Sequence, residues 1–180
     1  MIDSINLEEL KFPIGEFVKP EFISTDQIDE WIKEIELFPS RLKLATDPLT
    51  EKRLNQKYRP EGWTIRQVVH HCADSHMNSF IRFKLSLTED SPTIKPYFED
   101  RWAEMPDYLD VSIENSIQIL EGLHFRWVKL LKSLNEVDLQ KEFVHPEHGK
   151  RFSVAENIGV YAWHSNHHLE HIKLALKKPF

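Results

Sequence analysis

Four stretches of this chain repeat apolar residues at the 3.6-residue period of an α-helix, and three of them open on a capping-box pattern, which commits the chain to helices packed on helices. The first follows Ser24-Thr25-Asp26-Gln27 and carries Ile28, Trp31, Ile32, Ile35, Phe38 and Leu42. Pro39 falls inside it and is expected to kink or split it, because proline lacks the backbone donor and clashes with the preceding turn. The second follows the box Thr64 to Gln67 and runs to about Leu87, with Ile65, Val68, Val69, Cys72, Ala73, His76, Phe80 and Phe83 on one broad face. The third runs from about Ser112 to Leu134 through Ile113, Ile117, Leu120, Leu123, Trp127, Leu130 and Leu131. The fourth follows Ser153-Val154-Ala155-Glu156, ends near Lys177, and turns Val154, Ile158, Ala162, Leu169, Ile172 and Leu176 to the core.

Outside these runs the signals are weaker. Residues 1–23 mix Pro13, Gly15 and Pro20 with Phe12, Ile14, Phe17, Val18 and Phe22, which reads as an extended arm lying on the domain. Residues 88–110 hold Pro92, Pro96 and Pro106 with Tyr97, Phe98 and Trp102. A loop of that length and aromatic content reads either as a lid on a pocket or as cover for the end of the bundle. Two β-prone pieces between Glu142 and Ser153 flank Pro146 and Gly149 and suggest a small hairpin, with His145 and His148 as solvent-facing turn residues. The economical fold is all-α: one domain over 1–180, an antiparallel four-helix bundle with a hairpin between its third and fourth helices and an N-terminal arm.

Composition narrows the function classes. A formal charge of -6 argues against a nucleic-acid partner, since that affinity rests on clustered Lys and Arg that release counterions. The single cysteine, Cys72, excludes an internal disulfide framework. The acidic start lacks the apolar run of a signal peptide, and no stretch reaches the length of a membrane span. A cytoplasmic protein without a membrane or nucleic-acid partner is expected.

Seven of the ten histidines fall into two groups, His70, His71 and His76 on the second helix and His164, His167, His168 and His171 on the fourth. His164 and His168 are one turn apart on one face, a spacing that grips a single ion. With His71 they give three imidazoles and leave a position for water on a divalent ion; the alternative is that all three are histidines at the border of a plain bundle. His171, one turn beyond His168, is the first suspect for a fourth ligand that would close a structural site. Gln67, His71, Ser75, Asn78 and Arg82 form a polar stripe on the second helix with few ordinary surface charges, the composition of a lined cavity or of a helix border. Gln67, Asp74, Asn78, Arg82 and Tyr161 are the candidates for contact with the ligands or a substrate. Zinc peptidases of the His-Glu-x-x-His type use the Glu as base, but Ser165 follows His164, so that role is vacant here.

Gly62-Trp63-Thr64-Ile65-Arg66-Gln67-Val68-Val69-His70-His71, Ala73-Asp74-Ser75-His76-Met77-Asn78, Arg82-Phe83-Lys84, Trp163-His164-Ser165-x-His167-His168 and Phe12-Pro13-Ile14-Gly15 together resemble the YfiT branch of the DinB-like metalloproteins over nearly the whole chain. The resemblance implies a four-helix bundle, a homodimer, and one divalent ion per subunit, zinc foremost with nickel as the second choice, held at the positions of His71, His164 and His168. It implies a metal-dependent hydrolase that activates water against a small-molecule substrate. Relatives that transfer a thiol such as bacillithiol to an electrophile supply the alternative, and a non-catalytic, metal-stabilised module is the third. Cys72 lies outside the family pattern and is read as a small core residue.

Overall fold

The computed structural model describes residues 7–147, 149–177 and 179–180. His148 and the first residues of the arm therefore lie outside the described residues. In chain order the elements are α1 (Leu7–Lys11), α2 (Thr25–Thr46), α3 (Glu51–Leu54), α4 (Ile65–Thr88), α5 (Glu99–Trp102), α6 (Pro106–Leu109), α7 (Ile113–Leu131), α8 (Glu136–Leu139), β1 (Glu142–His145), β2 (Lys150–Ser153) and α9 (Val154–Lys177). The four long helices α2, α4, α7 and α9 are the four periodic runs. β1 and β2 are the antiparallel hairpin, with Phe143 opposite Phe152.

The boxes act as caps, to different degrees. Thr64 Oγ1 accepts from the Gln67 amide at 3.2 Å while Gln67 Oε1 accepts from the Thr64 amide at 2.9 Å, so both orphan donors are satisfied. Ser24 caps α2 from one side only, because the Gln27 side chain donates instead to Glu30. α2 is not split at Pro39. It continues to Thr46 with Pro39 buried in the helix interior, so burial among its neighbours outweighs a helix penalty of about 3 kcal/mol.

Around the bundle the order is α2, α7, α4, α9, so the consecutive long helices α2 and α4 sit across a diagonal. Pairings along the helices give their directions. Ser75 meets Tyr161 and Ser79 meets Asn157, so α4 and α9 are antiparallel. Ile35 meets His124 and Lys43 meets Glu114, so α2 and α7 are antiparallel too. His70 meets Ser116 and His76 meets His124, which makes α4 and α7 parallel neighbours.

A parallel neighbour requires a connection that returns along the whole helix, roughly 36 Å for 24 residues at 1.5 Å each. That is the physical reason for the long stretch after α4. It starts pinned to β1, where the Val144 amide donates to the Pro92 carbonyl and the Ile94 amide to the Val144 carbonyl. It then descends α4: Tyr97 reaches Ser75, Gln67 Nε2 donates to the Ala103 carbonyl at 2.8 Å, Tyr108 donates to Asp74, and Arg66 Nη1 donates to the Val111 carbonyl at 2.8 Å. The stretch read as a loop thus contains α5 and α6 and covers one face of α4.

The N-terminal arm lies on α9, with the short helix α1 where an extended chain was expected. Trp163 Nε1 donates to the Gly15 carbonyl at 3.0 Å, Lys19 pairs with Glu156 at 2.7 Å, and Phe12 packs against His167. Gly159 permits the approach: a Cβ there would meet the Trp31 ring at 2.8 Å and Phe17 at 3.0 Å.

The apolar core has two parts. One gathers Phe38, Leu42, Leu54, Val69, Ile117 and Ile172 around the α4 start; the other gathers Ile32, Ile35, Phe83, Trp127, Ile158 and Ala162 nearer its end. A layer of imidazoles crosses the bundle between them. Among the described residues, no helix is long and apolar enough to cross a membrane.

Candidate metal centre

His71 on α4 and His164 and His168 on α9 meet where the two antiparallel helices touch. One ring nitrogen of each lies within 4.8 Å of the other two, and His71 Nε2 is 3.3 Å from His164 Nε2. His71 and His168 are buried at 6% exposure each, and His164 is partly exposed. Trp63 packs on His71 with ring centroids 4.6 Å apart. No carboxylate belongs to this group of three among the described residues.

Burial sets the protonation. Removal from water drives the His71 imidazole down to about 3 and pushes those of His164 and His168 well below the usual histidine range, with neighbouring imidazoles adding to the effect. All three rings are neutral at physiological pH, the form that donates a lone pair to a metal. Three neutral imidazole nitrogens, with no carboxylate in the group among the described residues, form a donor set that suits a divalent transition-metal ion.

Hydroxyls border the cluster on the α4 side. Ser75 Oγ is 3.4 Å from His164 Nε2 and 3.3 Å from the Tyr161 hydroxyl, which itself donates to the Ser75 carbonyl at 3.2 Å. The phenol of Tyr97 comes to Ser75 from the crossover, and burial raises its pKa, so it stays protonated as a donor. Asp74 is the nearby carboxyl: Tyr108 donates to its Oδ2 at 2.5 Å, yet desolvation outweighs that bond and raises its pKa.

The other candidates are placed differently. Gln67 is occupied by its capping box and by the Ala103 carbonyl, so it fastens the crossover. Asn78 donates to the Asp74 carbonyl of its own helix at 2.9 Å. Arg82 sits three turns along α4 from His71, about 16 Å at 1.5 Å per residue. Neither Asn78 nor Arg82 belongs to the group of three. His171 does not close the triad: it belongs instead to a second group with His167 and His168, and its Nε2 donates to the Lys11 carbonyl at 3.1 Å.

Sequence reasoning passed over His124 and left His76 as a plain core residue. Both are fully buried between Phe38 and Trp127 and joined to each other at 2.8 Å. The signal was available, since His124 falls at core spacing between Leu120 and Trp127, where a polar ring needs partners.

Known proteins resemble this chain over most of its length. The family model of the DinB superfamily matches residues 34–172. A protein of Bacillus cereus (strain 03BB102) named "Putative metal-dependent hydrolase" is 51% identical over 172 residues, covering 96% of this chain and 98% of its own. One from Bacillus mycoides (strain KBAB4) with the same designation is 51% identical over 166 residues, covering 92% and 95%. Among solved structures, YfiT from Bacillus subtilis, described as "a probable metal-dependent hydrolase with an unusual four-helix bundle topology", superposes with a TM-score of 0.91 at 45% identity, covering 94% of this chain and 97% of that one. The mycothiol-dependent maleylpyruvate isomerase shares the fold at a TM-score of 0.64 and 14% identity, over 81% of this chain and 60% of its own. The chain belongs to the DinB superfamily and is a YfiT-type four-helix bundle.

Proposed function

We propose that His71, His164 and His168 hold one divalent ion, zinc foremost, and that the protein is a hydrolase of small-molecule substrates. The observation that carries this reading is the convergence of three neutral imidazoles from two helices, two of them buried and His164 partly exposed, with no fourth protein ligand in that group among the described residues. A structural zinc normally takes four protein ligands and a catalytic one three. An ion bound there supplies Lewis-acid chemistry, polarising a substrate carbonyl and bringing the pKa of a water molecule towards neutrality.

The chain's own groups orient the reaction. Partly exposed His164 marks the open side, Ser75 and Tyr161 present hydroxyls beside it, and Tyr97 contributes a neutral phenol that can donate to an oxygen developing negative charge. Asp74, half-buried and held by Tyr108, is the proposed proton acceptor in this reading. The reading includes a homodimer, which light scattering at micromolar concentration checks.

The test is turnover by zinc-loaded protein on a panel of esters and amides, with and without a low-molecular-weight thiol and an electrophile. Hydrolysis without thiol that is abolished by chelation supports the proposal. Turnover that needs the thiol overturns hydrolysis in favour of thiol transfer, and no turnover with a fully loaded site favours a binding module.

A further inference from the structure

Two chains of imidazoles lead away from the triad, and each ends on a backbone carbonyl that lacks the amide donor four residues on. In the first, His164 Nδ1 lies 3.1 Å from His76 Nε2, His76 Nδ1 lies 2.8 Å from His124 Nε2, and His124 Nδ1 lies 2.7 Å from the Ile35 carbonyl. The helical partner of that carbonyl would be the amide of residue 39, and residue 39 is proline. In the second, His168 Nδ1 lies 3.3 Å from His171 Nδ1, and His171 Nε2 lies 3.1 Å from the carbonyl of Lys11, the last residue of α1.

A carbonyl only accepts, and this fixes every proton in sequence. His124 must carry its proton on Nδ1. Its ring is neutral, because it is buried between Phe38 and Trp127, where a charge would lie away from water. Its Nε2 is therefore bare and accepts from His76 Nδ1. His76, fully buried between Phe38 and Trp127 and so neutral, then offers a bare Nε2, so His164 must donate from Nδ1 and its Nε2 has only a lone pair. The same reasoning runs from Lys11 through His171, a buried ring stacked on Tyr58 and therefore neutral, to His168, whose Nδ1 donates and whose Nε2 is left bare.

We infer that His76, His124 and His171 are positioning residues for the metal centre: they transmit the demand of the Ile35 and Lys11 carbonyls and set the Nδ1–H tautomer of His164 and His168, presenting both Nε2 atoms to the ion. This rests on the reading of His71, His164 and His168 as ligands. Partners of this kind orient a ligating imidazole and raise its basicity, and losing one costs metal affinity. His71 has no such chain. Its Nδ1 is buried without a partner, and its Nε2 faces the bare Nε2 of His164, so in the metal-free protein it donates from Nε2. Two ligands are set in advance, and the third would have to carry its proton on Nδ1 to offer Nε2 to an ion.

The test begins with 15N-resolved NMR of the metal-free wild-type protein at neutral pH. The expected spectrum has the proton on Nδ1 of His164 and His168 and on Nε2 of His71; Nε2–H tautomers at His164 and His168 overturn the inference. Zinc affinity by chelator competition is the second readout. His124→Leu, His76→Leu and His171→Leu are each expected to weaken binding about 10- to 100-fold. His124→Gln, whose amide both accepts from His76 and donates to Ile35, is expected to stay within a few-fold of wild type. Equal loss in His124→Gln and His124→Leu overturns the tautomer role in favour of a packing role. A second zinc ion per chain, removed by His167→Ala, would place metal on the Nδ1 atoms of His168 and His171 and overturn the second chain. The ligand assignment fails separately, if His71→Ala binds zinc as tightly as wild type.

Discussion

The Ile35 carbonyl on α2 accepts from His124 Nδ1 on α7 at 2.7 Å, and Pro39 removes the helical amide that would otherwise donate to it. Removing the ring by His124→Leu strands that buried carbonyl, which costs about 1–3 kcal/mol of stability in the metal-free protein. Pro39→Ala returns an amide four residues on, so in the double variant the carbonyl is satisfied again. The two substitutions are therefore expected to cost less together than separately. Urea unfolding in a double-mutant cycle measures the coupling, and strict additivity would show that the Ile35 carbonyl is not the shared element.

The metal-free protein should lose stability in acid over a definite window. Burial lowers the folded-state pKa of His71 and His171 to about 3 and of His124 and His167 to about 4, and drives those of His76, His164 and His168 well below the ordinary value. Between about pH 6.5 and those folded-state values the unfolded chain then binds more protons than the folded one, so stability falls with falling pH. The contribution is complete above the unfolded value and is lost as pH drops from there through 4 towards 3. Denaturant midpoints at a series of pH values check this; a flat profile between pH 6.5 and 4 would contradict it.

Gly159 sets how closely the arm and α2 approach α9. Gly159→Ala places a Cβ at 2.8 Å from the Trp31 ring, so either the indole or the helix must shift. Such overpacking costs about 1–3 kcal/mol, which outweighs the helix propensity gained. Thermal unfolding is expected to show the loss, with zinc stoichiometry unchanged because the triad lies on another face of α9.

Much of the fold is legible in the sequence because helices advertise themselves by apolar period and cap chemistry, as Ile28 to Leu42 after Ser24 does. What escapes is which helices become neighbours. Nothing in one sequence says that α4 lies parallel to α7, and so the returning connection at 88–110 reads as a loop with no evident need. Pro39 reads as a break because local chemistry favours one, and only the packed structure shows α2 continuous and the Ile35 carbonyl taken by His124. Of the candidate site residues, the spacing of His164 and His168 is local and visible, whereas their meeting with His71 depends on how α4 and α9 pack. The amides of Gln67 and Asn78 suggested a lined cavity but bond to their own helix and the crossover, which composition cannot distinguish. His124 escaped because a lone histidine at a core position gives no hint of its partner forty-eight residues away.

The central claim is tested most directly by elemental analysis of tag-free protein and of single alanine variants. Wild type is expected to carry one divalent ion per chain, and His71→Ala, His164→Ala and His168→Ala are each expected to lose it while remaining folded by circular dichroism. An ion retained by all three variants and lost from His167→Ala would contradict the account and move the metal to the other face of α9.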